Sequence, residues 1–297
     1  MSKSLVDPRT KAVAIPGAPR VGLVLGGGGA RGIAHIIAIE ALEEMGIKPV
    51  AVAGTSIGAM FGAALASGLS AAYMRAHLEE TFSQRYALIR QLFSVRAPPV
   101  ERLLNLLPMR TALLDAEALL ELVLPMRIPE TFAGLELPLK VVATDFYAQE
   151  ATVMSEGRLK QAVAASIALP VIFQTVTVNG RIMMDGGLVD PLPFDRLAPE
   201  ADIIIAIDVS GGGRDETAGK GPGPIEALTS ASLILQRSII REKLRSARPD
   251  ILIDMPSRGF GVLEFHRWRE ILEIAAPAKE KIKRQLARVL KAETVRR

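Results

Sequence analysis

The first seventy residues alternate between short apolar runs and glycine-rich turns. An apolar run at 21–25 ends in a glycine cluster, and residues 31–45 then carry isoleucine and leucine at helical spacing, with Gly46 where a helix would stop. A second apolar run at 49–53 leads through another glycine-containing turn into a small-residue helix at 57–69. This β-α-β-α order predicts two parallel strands with both turns at their carboxyl ends, where α/β sheets form their sites.

The α/β pattern resumes after a leucine-rich segment. Residues 71–135 have helical patterning that prolines interrupt, which predicts an inserted helical cover. An Asn179-Gly180 pair between two apolar runs is typical of a tight hairpin that has Asp185 at its exit. Further strands are predicted at 137–145, 150–154, 171–178, 181–184, 202–209 and 250–254, and further helices at 158–168 and 225–247. The pattern as a whole predicts an α/β fold with a mainly parallel central sheet.

Changes in composition divide the chain into three parts. Residues 1–20 contain charges and prolines and lack the apolar core of a secretion signal, which predicts a flexible leader on a cytoplasmic protein. Residues 21–255 form the predicted main domain, and residues 256–297 a C-terminal helical extension broken at Pro277. The charge-free stretch 51–74 is long enough to span a membrane, but its four glycines and β-type start favour a buried strand, turn and helix.

The amino-acid composition limits the kinds of catalytic, metal and nucleic-acid site that the chain can form. The 297 residues are 49% hydrophobic and 23% charged, which is ordinary for a globular protein. The absence of cysteine excludes disulfides, thiolate metal sites and a cysteine nucleophile, and three histidines argue against a histidine-rich metal site. We therefore expect no metal and no cofactor. A net charge of +4 favours anionic surfaces but is too small to indicate nucleic acid.

The two glycine-containing turns together predict an anion-binding loop beside an exposed serine. Gly54-Thr55-Ser56-Ile57-Gly58 fits G-x-S-x-G, the strand-to-helix elbow in which glycines leave room for a strained serine. The cluster from Gly26 to Gly32 would direct backbone N–H groups at a developing negative charge. An acyl-transfer enzyme needs such a nucleophile and such an oxyanion hole close together.

The glycine cluster has other interpretations, which the sequence supports less well. Gly27-x-Gly29-x-x-Gly32 resembles a dinucleotide fingerprint, which would suit an NAD-dependent oxidoreductase. That site needs an acidic residue at the end of the second strand, and residues 52–54 are valine, alanine and glycine. No Gly-Lys-Ser/Thr follows the cluster, which disfavours a P-loop. A purely structural glycine turn, and a capping or packing role for Ser56, remain alternatives.

The nucleophile needs a base. The order Ser56, Asp185, His266 matches the serine–acid–histidine order of α/β-hydrolases. However, His266 lies in a helical stretch, and His35 and His77 also lie in predicted helices, so a structural role is the better interpretation of all three. Asp185 ends a hairpin strand and is followed by two glycines, which makes it the better candidate.

Three motifs in this order resemble the patatin-like phospholipase family of lipid acyl hydrolases. They are GGGGARG at 26–32, GTSIG at 54–58 and DGG at 185–187, and ASIALPVIF at 165–173 is similar to the family's segment before its aspartate hairpin. The resemblance spans about 21–209. It implies a three-layer α/β/α fold and a Ser–Asp dyad, without histidine or metal, that cleaves fatty-acyl esters of phospholipids or related lipids.

The resemblance also implies a role for each matching residue. Ser56 would be the nucleophile and Asp185 the base, with the N–H groups of Gly27, Gly28 and Gly29 as the oxyanion hole. The supporting motif positions are Gly26, Arg31, Gly32, Gly54, Gly58, Gly186 and Gly187. Asp190 departs from the asparagine expected in the family, which leaves the role of its loop open.

The alternatives for partners concern lipid surfaces and a second copy of the chain. A catalytically silent lipid-binding protein on the same fold is the main alternative to an enzyme. Apolar residues of the cover, flanked by Arg85, Arg90, Arg96 and Arg102, predict peripheral contact with a membrane, and a homodimer interface or ordinary packing explains them equally well. Those apolar residues are Leu88, Ile89, Leu92, Phe93, Leu103, Leu104, Leu106 and Leu107.

Overall fold

An eight-stranded sheet forms the centre of the computed structural model, which describes residues 19–84, 114–211, 221 and 223–296. The parallel strands are β1 (Val21–Leu25), β2 (Ala51–Thr55), β3 (Leu139–Asp145), β7 (Ile203–Asp208) and β8 (Ile251–Asp254). The antiparallel strands are β4 (Glu150–Met154), β5 (Val176–Val178) and β6 (Arg181–Asp185). Their order is β5-β6-β3-β2-β1-β7-β8, with β4 paired to β3. The predicted, mainly parallel sheet is confirmed.

Helices cover both faces of this sheet. They are α1 (His35–Glu44), α2 (Ile57–Ala66), α3 (Ala71–Gln84), α4 (Ala116–Val123), α5 (Leu159–Ile167), α6 (Pro224–Ser246), α7 (Trp268–Ala275) and α8 (Ala278–Arg296). Alternate residues of β1 serve two cores: Leu23 and Leu25 belong to the larger one, whereas Val24 packs in a second one with Phe194 and Ile240 of α6. Two cores separated by one sheet confirm the three-layer α/β/α architecture.

Strands β2 and β6 both pair with β3, and this pairing brings their ends close together. Along β3, β2 pairs in parallel with residues 139–142, β6 pairs antiparallel with 143–145, and β4 pairs with 141–145. Because β4 overlaps both of the other pairings, β2 and β6 must share the opposite edge. They run toward each other and stop at neighbouring positions, with Thr55 opposite Val142 and Asp185 opposite Ala143.

The sequence patterns predicted the helices and strands correctly, but some of their boundaries differ in the structure. The helix predicted from residue 31 begins as a 3-10 helix at Gly29–Ala34 and becomes α-helical at His35. The predicted Asn-Gly hairpin is confirmed by positive φ at Asn179 (50°) and Gly180 (77°). Its first strand begins at Val176 instead of 171, because the N–H groups of Ile172 and Phe173 donate to the Leu169 carbonyl in a turn.

Part of the predicted helical cover is present as α3, α4 and a 3-10 turn at Phe132–Gly134. Residues 85–113, with the eight apolar positions and four arginines of the cover singled out above, lie outside the described residues. So do residues 1–18 of the predicted leader and residues 212–220 and 222 of a glycine-rich loop. Across the described ranges, no helix combines the length and apolar character needed to cross a bilayer.

The C-terminal helices pack on the sheet domain. The break predicted at Pro277 is confirmed, since α7 ends at Ala275 and α8 begins at Ala278. Ile282 and Leu286 of α8 are buried in the larger core, and Lys279 contacts Glu44 of α1 at 2.8 Å. We therefore propose that the predicted extension, 256–297, folds as one unit with 21–255.

If this proposal is right, truncating a buried side chain of α8 destabilises the whole domain. Leu286→Ala should lower the free energy of unfolding by about 2–5 kcal/mol, because it removes a buried leucine and leaves a cavity. The measurement is urea unfolding followed by far-UV circular dichroism. The exposed neighbour Arg288→Ala is the control, with a change of about 0.5 kcal/mol or less. A separate early transition for α8, with the main transition unmoved, would contradict the proposal.

Candidate active site

Ser56 lies at the turn between β2 and α2. Its backbone has φ 55° and ψ −126°, a region that residues with a side chain rarely adopt. The turn is tight enough to require glycine on both sides. A Cβ on Gly58 would lie 2.0 Å from the Leu25 carbonyl oxygen, and one on Gly54 would lie 2.5 Å from that of Gly58. The G-x-S-x-G spacing thus produces the strained elbow through direct backbone packing.

Two buried hydroxyl groups hold this elbow in place. The Ser56 N–H donates to Ser166 Oγ at 2.8 Å, and that hydroxyl donates to the Val142 carbonyl of β3 at 2.6 Å. Thr55 Oγ1 donates to the Asp190 carbonyl at 2.8 Å. Ser166 lies in the ASIALPVIF segment, but no local pattern singles it out, because its role depends on a strand that is distant in sequence.

Asp185 is the hydrogen-bond partner of Ser56. Ser56 Oγ donates to Asp185 Oδ2 at 2.7 Å, and the Gly187 N–H donates to Oδ1 at 2.7 Å. The carboxyl is only 3% exposed, and this burial raises its pKa from 3.8 to about 6, against the two hydrogen bonds that lower it. A Cβ on Gly186 would lie 2.1 Å from the Val142 carbonyl oxygen, so the chain can turn beneath Asp185 only with glycine there.

Two residues of the glycine cluster lie beside Ser56. Gly28 and Gly29 line the same groove as Ser56 and Asp185, and within the described ranges their N–H groups donate to no acceptor. The N–H of Gly27, predicted as a third donor, instead donates to the Pro191 carbonyl at 2.9 Å. Side chains are excluded from this loop, since a Cβ on Gly28 would lie 2.8 Å from the Val209 carbonyl oxygen.

Three further motif residues have structural contacts. Arg31 is buried, and its guanidinium donates to the carbonyl oxygens of Phe260, at 2.8 Å, and Ser210, which ties the glycine loop to both segments. Gly26 donates its N–H to the β7 residue Ile207 at 3.0 Å. Gly32 lets the 3-10 helix approach the elbow, because a Cβ there would lie 2.3 Å from a methyl group of Ile57.

The loop of Asp190 joins the two glycine turns. The buried Asp190 carboxylate accepts from Lys243 Nζ of α6 at 2.7 Å and from Arg196 Nε at 3.0 Å. Anchored in this way, the loop presents the Asp190 carbonyl to Thr55 and the Pro191 carbonyl to Gly27. The ion pairs of Asp190 therefore hold the two carbonyl groups that bind the elbow and the glycine cluster. This is a structural role for the loop whose role the sequence left open.

No histidine in the described part of the chain hydrogen-bonds to Ser56 or Asp185. His35 is fully buried and its Nε2 lies 2.9 Å from the Gly26 carbonyl oxygen, and burial lowers its pKa to about 4, so it is neutral at pH 7. His77 Nε2 lies 2.8 Å from the Val123 carbonyl oxygen, and His266 is exposed. These contacts agree with the structural role predicted for the histidines.

Ser56 and Asp185 open onto an apolar groove. Its walls come from α2, α3, α4, α5 with the segment that follows it, α6, and the segment that precedes α7. The main apolar lining residues are Ile57, Met60, Leu78, Phe82, Leu119, Leu120, Val123, Ile167, Leu169, Phe173, Leu233, Val262, Leu263 and Phe265. A mainly apolar wall with a few polar groups suits an apolar ligand whose polar part lies at Ser56.

Comparison with known proteins agrees with the motifs. The family model of patatin-like phospholipases matches residues 23–198. An uncharacterized NTE family protein of Mycobacterium tuberculosis is 38% identical over 194 residues, which are 65% of this chain and 50% of that protein. Human patatin-like phospholipase domain-containing protein 6 is 34% identical over 200 residues, 66% of this chain and 14% of that protein. The chain thus spans half the length, or less, of these curated relatives.

Among solved structures, VipD from Legionella pneumophila aligns with a TM-score of 0.49 and 17% identity, over 90% of this chain and 67% of that chain. Human GIVD cytosolic phospholipase A2 aligns with a TM-score of 0.42 and 14% identity, over 92% and 60%.

The burial of Asp185 leads to a prediction about how the free energy of unfolding depends on pH. Because its pKa is raised to about 6 from 3.8, the folded state binds its proton more tightly than the unfolded state does, and this contribution to stability is lost as pH rises from about 4 to 6. Asp185→Asn should therefore be more stable than wild type above pH 6, by on the order of 3 kcal/mol, and the difference should shrink below pH 4.

The measurement is urea unfolding of both proteins between pH 4 and 8. Glu156→Gln, at an exposed carboxylate, is the control and should show no such difference. An Asp185→Asn protein that is less stable than wild type at pH 8 would contradict the electrostatic explanation.

Proposed function

The chain belongs to the patatin-like phospholipase family, and we propose that it is a serine acyl hydrolase that cleaves fatty-acyl esters of phospholipids or related lipids. The observation that carries this proposal is the 2.7 Å hydrogen bond from Ser56 Oγ to the buried carboxylate of Asp185. A serine is activated when its proton has an acceptor within hydrogen-bond reach. The carboxylate is in that position, and its raised pKa makes it a stronger base than an exposed aspartate.

In the proposed first step, Ser56 Oγ attacks the ester carbonyl carbon while its proton passes to Asp185. The tetrahedral intermediate collapses, the bond to the leaving alcohol breaks, and the alcohol oxygen takes the proton from Asp185. The products of this step are the free alcohol and an acyl group esterified to Ser56. In the second step, a water attacks the acyl carbon with Asp185 as base, and the fatty acid leaves.

The negative oxygen of the intermediate needs donors in fixed positions. We assign this role to the N–H groups of Gly28 and Gly29, which line the groove beside Ser56. Loss of one such donor typically lowers the rate by ~10²–10³. The N-terminus of α2, which begins at Ile57, adds a positive potential at the same point. These backbone dipoles compensate for a base that remains weak compared with histidine.

The apolar groove supports a fatty-acyl substrate. Apart from the groups around Ser56, most of its lining residues are aliphatic or aromatic, so the acyl chain can leave water without burying unpaired polar groups. A catalytically silent lipid-binding protein would share this groove. The Ser56–Asp185 contact favours the enzyme, because lipid binding alone does not require a serine strained into hydrogen bonding with a buried carboxylate.

We also propose that the substrate is taken from an anionic lipid surface, and that α6 provides the contact. One side of α6 lines the groove through Thr229, Leu233 and Gln236. Its other side carries the apolar patch of Leu228, Ile234 and Leu235, which are 48%, 65% and 62% exposed. The exposed residues Arg237, Arg241 and Arg245 follow on the next turns. An exposed apolar patch beside cationic residues suits the headgroup and acyl boundary of such a membrane.

The lipid contact predicted for the cover between residues 71 and 125 stays a prediction, because the eight apolar positions on which it rests lie outside the described residues. The homodimer and the cytoplasmic location stay predictions. Sedimentation of the purified protein measures its oligomeric state, and cell fractionation measures its location.

Variants of the dyad test the proposed function. Ser56→Ala and Asp185→Asn should each reduce hydrolysis of a short-chain nitrophenyl ester by about a thousandfold or more, because each removes one partner of the same proton transfer. The matched variants His77→Ala and His266→Ala should keep their activity within about tenfold. A loss beyond a hundredfold in folded His266→Ala would instead favour a triad. Wild-type protein that neither hydrolyses the ester nor reacts with a fluorophosphonate would favour the silent lipid-binding protein.

A single charge on α6 tests the proposed lipid surface. Ile234→Asp should weaken co-sedimentation with vesicles of phosphatidylglycerol and reduce hydrolysis of vesicle lipid by about tenfold or more, because it places a negative charge in the apolar patch. Hydrolysis of a soluble ester should be unchanged. Val153→Asp, at an exposed apolar position of β4, is the control and should leave both activities intact. Equal losses of Ile234→Asp on vesicle and soluble substrates would exclude this surface.

A further inference from the structure

Gln236 of α6 holds a buried polar atom that the reaction described above does not use. The residue is 5% exposed, and its Nε2 donates to Ser232 Oγ at 3.1 Å. Its Oε1 has no hydrogen-bond partner in the described part of the chain. A buried acceptor without a partner destabilises the folded state, so each such atom in a folded protein calls for an explanation.

The side-chain amide lies between the glycine cluster that contains Gly27 and the turn that follows Asp185. The point where a Cβ of Gly27 would stand is 3.5 Å from both Gln236 Oε1 and Ser56 Cβ. The corresponding point at Gly187 is 2.8 Å from Gln236 Nε2 and 3.0 Å from Asp185 Oδ1. Gln236 also lines the groove with Ser56 and Asp185. The unpaired oxygen therefore belongs to the reaction site and not to the general packing of α6.

An acceptor at this place would serve the hydrolysis of an acyl-enzyme. Once Ser56 is esterified, it no longer donates to Asp185 Oδ2, and that oxygen is free to take a proton from water. The other carboxylate oxygen, Oδ1, still accepts from the Gly187 N–H. A water held by one oxygen alone can rotate, whereas buried waters in proteins typically make about three hydrogen bonds. A second acceptor would direct the water's lone pair at the acyl carbon.

We propose that Gln236 Oε1 is this second acceptor and orients the hydrolytic water. The inference rests on the proposed function. One O–H of the water is deprotonated by Asp185 as its oxygen attacks the acyl carbonyl carbon, and the other O–H donates to Gln236 Oε1. The acyl–Oγ bond then breaks, Ser56 Oγ takes the proton from Asp185, and the fatty acid is released. Ser232 holds the amide so that its oxygen faces this water.

Separating acylation from deacylation tests the proposal. Gln236→Met keeps a side chain of similar length without the acceptor. Gln285→Met, the same substitution at a half-buried position of α8 outside the groove, is the matched control. Labelling of Ser56 by a fluorophosphonate reports acylation, and intact mass spectrometry after mixing with a nitrophenyl ester reports the acyl-enzyme. Gln236→Met should label within about threefold of wild type but deacylate at least about tenfold more slowly, so that acyl-Ser56 accumulates. Gln285→Met should change each rate by less than about threefold.

Methanol provides a second readout, which does not depend on the fraction of folded protein. Methanol has one O–H, which Asp185 takes, and no second hydrogen for Gln236. The ratio of methyl ester to free fatty acid should therefore rise at least about fivefold in Gln236→Met. An unchanged ratio, or acylation slowed as much as deacylation, would overturn the proposal. Failure of the proposed function itself would be visible separately, as wild-type protein that shows neither labelling nor turnover.

Discussion

The site depends on two strands that meet head-on along one edge of β3. Strand β2 runs parallel to β3 and β6 runs antiparallel, and they stop opposite the neighbouring residues Val142 and Ala143. Each strand ends where its chain must leave the sheet, so the elbow serine and the hairpin aspartate face each other across a very short gap. Much of the surrounding structure stabilises this junction: Ser166 bonds the elbow to β3, and Thr144 Oγ1 donates to the Asp185 carbonyl at 2.7 Å.

The same junction puts a carboxylate where water hardly reaches it. Burial makes Asp185 more basic and also makes the folded state less favourable at neutral pH, so reactivity and stability are opposed at this residue. The surrounding backbone must therefore be rigid without side chains in the way. Glycines allow the close approaches, and the Asp190 loop supplies the carbonyl oxygens that hold Thr55 and Gly27. The charge of Lys243 in turn neutralises Asp190, which links the elbow to α6.

Helix α6 connects the sheet, the groove and the outer surface. Its 23 residues pack on the second core through Ile240, line the groove through Leu233, and expose an apolar patch on the far side. In our proposals its groove-facing side supplies Gln236 to the reaction and its outer side contacts lipid. Surface binding and chemistry would then share one helix.

Much of the site could be predicted from the sequence, because elbows and hairpins are local. The spacing of Gly54 and Gly58 around Ser56, directly after an apolar run, indicates a strand-to-helix turn, and Asn179-Gly180 indicates the hairpin that ends in Asp185. Alternating apolar runs likewise predicted the parallel sheet and its order of elements. Element boundaries were less certain, as at the 3-10 start of the first helix, because hydrogen bonds to distant segments override local propensity there.

Only the tertiary structure decided which groups meet. Three glycine N–H groups look equivalent in the sequence, but in the structure the N–H of Gly27 donates to the Pro191 carbonyl, whereas Gly28 and Gly29 line the groove. The contacts of Ser166 and Gln236 with the elbow and the glycine turns were equally hidden, because their partners lie far away in sequence. Local patterns constrain dihedral angles and burial, whereas a hydrogen bond between remote residues depends on the register of strands and the packing of helices, which no local pattern encodes.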